Sequence, residues 1–207
     1  MITLKEIFAI IIAIIFLAFS NSFIDASLFY SSIIYFAIIM IVYVFFKKLT
    51  AYNLEAIEET KLWTFQRYGW YERSYLKTPF PIGIILSFIL SVLSLGVVKW
   101  FAITETDVRA TKARVVKRHD FYSFSEMTDF HIACISASGI FALFILSILA
   151  YFLNYSELAK LSLYFACFNL LPIGKLDGTR IFFGSRILYT ILATIAIIGL
   201  GYVLFLP

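Results

Sequence analysis

An aspartate stands where an apolar chain can least accommodate it. Asp177 follows the hydrophobic run 161–174, which Pro172 interrupts, and is itself followed by Gly178. A carboxylate beside a broken hydrophobic helix is unfavourable unless it is paired with a cation, bound to a metal or set in a wet cavity. An Asp-Gly step also suits a turn at the edge of a bundle. The chain offers a short list of partners. His119 and His131 could join Asp177, with Glu58, Glu59 or Glu126, in a mixed His/carboxylate metal site, a donor set suited to zinc or a harder metal. Cys134 and Cys167 lie inside apolar runs with no CxxC spacing, and read as small apolar fillers.

These residues must be positioned by a chain unlike a soluble domain. Of its 207 residues, 62% are hydrophobic and 14% charged, against roughly 45–50% and 25% in soluble domains. A spanning helix needs about 20 apolar residues. The runs 7–24, 26–46, 78–98, 132–156 and 187–207 approach that length, and 161–174 is a shorter, Pro-broken sixth. The expectation is an all-α membrane protein, one polytopic domain of about six segments, integral and multi-pass, with the lipid bilayer as its first partner. The first run is read as a retained span rather than a cleaved leader, since Glu6 sits where a signal peptide is basic.

Two polar stretches lie between the runs. In 47–77, Leu54, Ile57, Lys61, Leu62 and Phe65 recur at helical spacing, which predicts a helix ending near Gly69, with Pro79 and Pro81 opening the next span. The stretch 99–131 is long enough for a small extramembrane element. Its β-branched residues around 103–108 and 113–116 suit a strand or hairpin, and Ser125 to Thr128 suit a helix cap. The basic residues from Arg109 to His119 read as a solvated or headgroup-contacting face, with a docking strand as the sharper alternative. A net charge of +4 fits anchoring at the membrane edge, not a nucleic-acid footprint. With six spans, eight Lys and Arg fall on one side and nine on the other, so charge does not orient the chain.

The segment Asn169-Leu170-Leu171-Pro172-Ile173-Gly174-Lys175-Leu176-Asp177-Gly178 resembles the NxxPxxxLDG motif of the site-2 protease family of intramembrane zinc metalloproteases. The resemblance implies that Asp177 takes the place of a zinc ligand and that Asn169 and Pro172 lie beside a bound substrate. Members of that family carry HExxH on an upstream helix, two histidines one turn apart holding zinc while the glutamate activates water. No HExxH occurs here. The segment Ile57-Glu58-Glu59-Thr60-Lys61 is the expected counterpart, with Glu58 a vestige of the catalytic glutamate and Ile57 and Lys61 in the histidine positions. Gly139 to Leu143 echoes a further Gly-led helix start of the family.

Three functions remain open. The first is a catalytically degenerate relative that binds a transmembrane segment or partner, with no cofactor and a Lys61–Asp177 pair in place of the ion. The second is an active metalloprotease whose zinc is held by Asp177, His131 and further carboxylates. The third is a small transporter or lipid-handling protein whose pathway follows the Pro172 break.

Overall fold

The computed structural model describes residues 3–67, 75–111, 114 and 127–205. Helix α1 (Leu4–Asn21) is capped by Thr3, whose hydroxyl accepts from the Glu6 amide. A 3-10 turn at Ala26–Leu28 leads into α2 (Phe29–Asn53). The buried residues of α2 include Phe36, Met40, Tyr43 and Lys47, a stripe at the spacing of one helix face. A lysine thus continues an otherwise apolar seam. Strands β1 (Ala56–Leu62), β2 (Phe65–Arg67) and β3 (Tyr75–Phe80) follow, then α3 (Ile82–Leu93), β4 (Thr104–Ala110), α4 (Asp129–Phe152), α5 (Ser156–Asn169), α6 (Asp177–Gly184) and α7 (Arg186–Phe205).

The fold is mostly helical. Four helices, Leu4–Asn21, Ala26–Asn53, Asp129–Phe152 and Arg186–Val203, are long and apolar enough to cross a membrane. Their outward faces expose large side chains such as Ile34, Ile41 and Phe45 on α2 and Ile148 and Phe152 on α4. Water would penalise so continuous an apolar surface, and lipid would not. Inside, α1, α2, α4 and α5 close on a core of Leu17, Phe36, Met40, Ile140, Leu143 and Phe165.

Beside its helices the fold carries two antiparallel strand pairs, β1 with β4 and β2 with β3. Two sequence expectations are corrected. The predicted helix after the second span stops at Asn53, because the chain leaves α2 through Glu55 at φ 52°, the left-handed conformation that ends helices. Residues 56–62 then pair as a strand with 104–110, Ile57 opposite Arg109 and Thr60 opposite Thr106. Ile57 and Leu62 therefore belong to a strand, and Leu54 to the C-cap of α2; Gly69 lies outside the described residues. The segment 78–98 is not one long helix either. Pro79 ends up in β3, Pro81 precedes the first helical residue, and the helix covers the 12 residues of α3. The strand expected within 103–108 is present as β4, and Thr128 caps α4.

The break at Pro172 takes the form of two short helices. α5 ends at Asn169, a turn carries Pro172 on its exposed outside, and α6 begins at Asp177. A Cβ on Gly178 would lie 2.0 Å from the Leu170 carbonyl oxygen, so only glycine lets the two helices meet this closely.

Candidate functional site

Asp177 opens α6 with no solvent exposure. The helix N-terminus favours a negative charge there. Its Oδ2 accepts hydrogen bonds from the Lys47 ammonium and the Tyr43 hydroxyl, and its Oδ1 accepts from Thr106 Oγ1 at 2.7 Å. Thr106 Oγ1 in turn accepts from Lys47 Nζ at 2.6 Å. Lys47 Nζ also lies 3.7 Å from the centroid of the Tyr43 ring, within cation–π range.

Three parts of the fold converge here. Tyr43 and Lys47 are one turn apart on α2 and so project from one face. Thr106 comes from the middle of β4, and Asp177 from the Pro-broken turn. Gly139 on α4 makes room: a Cβ there would sit 2.8 Å from Lys47 Cε and 2.9 Å from Tyr43 Cδ2. Phe165 of α5 closes the site with its ring edge-on to Tyr43, 5.3 Å between centroids. Removing an ammonium and a carboxylate from water is costly for each, by several kcal/mol. The cluster offsets this because each charged group faces its opposite and a hydroxyl.

A second charged cluster lies next to it on the β1 side. Lys48 reaches Glu6 at 2.8 Å and Glu58 at 3.3 Å, and donates to the Glu58 carbonyl at 3.0 Å. Glu6 also accepts from the Thr60 amide at 3.2 Å. Successive lysines on α2 thus serve different partners: Lys47 turns into the core and Lys48 ties α2 and α1 to β1.

The expected pairing of Lys61 with Asp177 is corrected. Lys61 lies on the exposed side of β1 and pairs with Asp107 at 2.6 Å and Glu59 at 3.3 Å. Alternation along a strand sends Lys61 to the opposite face from Glu58 and Thr60. For the same reason residues 57–61 cannot present two ligands one turn apart. Glu58 is buried, hydrogen-bonded to Thr60 Oγ1 at 2.7 Å and beside Lys48, a structural carboxylate of the second cluster.

His131 sits in the first turn of α4, its Nδ1 2.6 Å from Thr128 Oγ1 and 3.2 Å from Arg114 Nη2, an anchoring arrangement at the helix start. His119 and Glu126 lie outside the described residues, as does most of the basic stretch between Arg109 and His119. Asn169 is buried at the end of α5 and donates to the Phe165 carbonyl at 2.9 Å, whereas Pro172 is exposed. The two residues expected beside a substrate therefore do not share one surface. Among the described residues, no three His, Cys, Asp or Glu side chains gather as a metal site. At Asp177 the neighbours are an ammonium without a lone pair and two hydroxyls, a set that does not suit zinc.

Sequence reasoning found Asp177 and its need for a counter-charge, but missed Tyr43, Lys47 and Thr106. The available sign is a tyrosine inside an apolar run and a lysine one turn on, just past its end at Phe46. Comparison with protein-family models, curated proteins and solved structures gives no match.

Proposed function

We propose that this chain is an integral, multi-pass membrane protein related in plan to the site-2 proteases, in which a lysine ammonium takes the place of the metal ion. One observation carries the reading. The aspartate of the NxxPxxxLDG-like segment faces two side chains one helical turn apart on an upstream apolar helix, Tyr43 and Lys47. That is the relation HExxH histidines would bear to it. In this alignment Tyr43-Val44-Phe45-Phe46-Lys47 replaces the metal motif, so the glutamate position holds Val44. Neither a zinc-bound water nor a carboxylate to activate it is then supplied.

Binding remains as the function such a site can serve. The ion pair, Thr106 and Gly178 hold the broken α5–α6 segment against α2 and β4, keeping the irregular turn in place among helices. The partner we propose is an apolar transmembrane segment of another protein, received at the lipid-facing surface and left uncut. Four long helices, the broken α5–α6 pair, and the short α3 with the extended return that follows it together supply its membrane segments.

The full chain is purified into lipid nanodiscs, equilibrated with zinc and analysed for metal. The natural sequence is expected to hold no stoichiometric zinc. The double variant Tyr43→His and Lys47→His is expected to gain one zinc per chain, dependent on Asp177. Zinc at one per chain in the natural protein overturns the proposal. So does a monodisperse, helical double variant that takes none, since the three positions would then not mark a former metal site.

A further inference from the structure

The fold sorts the cationic side chains to one end. Thr3, β1 and the end of α2 share an end of the bundle: Thr3 Oγ1 donates to Glu59 at 2.9 Å and Lys48 pairs with Glu6. Arg114 joins them through the Leu54 carbonyl and His131. The start of α7 lies there too, because Gly184 abuts Asp129 at the start of α4.

Asn21 is at the other end, the full length of α1 away, about 27 Å for its 18 residues. Ser20 meets Ser91 at 2.7 Å, Lys99 donates to Asn21 Oδ1 at 3.0 Å, and Lys99 is within electrostatic reach of Glu157 at the start of α5. Tyr151 and Tyr202 stack edge to face 5.7 Å apart near the ends of α4 and α7.

Between α2 and α4 the chain therefore runs to the far end and back, since Thr111 donates to the Glu55 carbonyl at 3.1 Å. The described chain makes seven passes: α1, α2, β1 with α3, the extended return through β4, α4, α5 with α6, and α7. Among described cations that these contacts or helix positions place at an end, Lys5, Lys48, Lys61, Arg109, Arg114 and Arg186 are at the end shared by Thr3, β1 and the end of α2, the hairpin end. Lys99 and Lys160 are at the other. The near-even split expected from six simple spans disappears once 54–111 is counted as two passes.

We infer that the hairpin end, with β1, β4 and the start of α4, faces the cytoplasm and its anionic lipid leaflet, and that α7 ends on the opposite side. An excess of Lys and Arg in short segments at the ends of spans holds that side in the cytoplasm, and anionic headgroups attract the same cations. This rests on the membrane reading alone and is independent of any likeness to proteases.

In a background with Cys134→Ala and Cys167→Ala, single cysteines replace Tyr52, Val97 or Leu153, all well exposed. Intact cells expressing the full chain are treated with a membrane-impermeant maleimide before and after permeabilisation. Val97→Cys and Leu153→Cys are expected to label in intact cells, and Tyr52→Cys only once the membrane is opened. The reverse pattern overturns the inference, as does labelling of all three or of only one far-end site in intact cells. Ile57→Cys, exposed at the same end, replaces Tyr52→Cys should that variant not accumulate.

Discussion

Lys47 and Asp177 are 130 residues apart in the chain and meet as an ion pair with neither side chain exposed. Removing one partner of such a pair strands the other charge, which costs about 3–5 kcal/mol, whereas replacing both removes the need for pairing. Lys47→Met and Asp177→Asn are each expected to destabilise by about that amount. The double variant should lose clearly less than their sum. Unfolding by denaturant in mixed micelles measures the cycle. Strict additivity would show that the two side chains do not act on each other.

Gly139 gives a packing test of the same site. A methyl group there meets Lys47 and Tyr43 at under 3 Å, and overpacking of this kind costs about 1–3 kcal/mol. Alanine is otherwise the better helix former by about 1 kcal/mol, so a Gly139→Ala variant that is clearly stabilised would contradict the close approach. Gly201 on α7 has nothing within 4 Å of an added Cβ. Gly201→Ala is expected to be neutral to stabilising, by up to about 1 kcal/mol. Thermal unfolding of the two variants side by side reads the difference.

The hairpin end carries a pH signature. The Thr3 hydroxyl hydrogen bond, then the neighbouring Lys61, hold the Glu59 carboxyl below its usual range against slight burial. A depressed carboxylate stabilises the fold above its unfolded pKa, and that contribution fades as pH falls through the folded value. Exposure and solvent screening keep the effect small. Titration of the Glu59 carboxyl by carbon NMR should give a midpoint below that of an ordinary glutamate, and Thr3→Val should move it upward. An unmoved midpoint would remove Thr3 as the cause.

How much of this could be read from the sequence follows from what each residue depends on. The runs behind α1, α2, α4 and α7 were visible because crossing length and apolarity are local properties. Asp177 was conspicuous because a carboxylate just after a Pro-broken apolar run calls for a counter-charge. Its partner was not visible. Lys47 has the same type and neighbours as any lysine ending a span, and only tertiary packing against Gly139 turns it inward while Lys48 turns toward Glu6. β1 was misread because Ile57, Lys61 and Leu62 satisfy a helical period as well as a strand. The choice between the two is made by β4, some 50 residues later in the chain.

The pairing at Asp177 also decides how the protein responds to an electric field. A single charge carried across a membrane potential exchanges about 2.3 kcal/mol per 100 mV. An ammonium and a carboxylate in contact sit at one depth and cancel, so voltage exerts almost no net force on the pair. Deleting either charge would leave a monopole there and couple the packing of α2 against α6 to the potential across the bilayer.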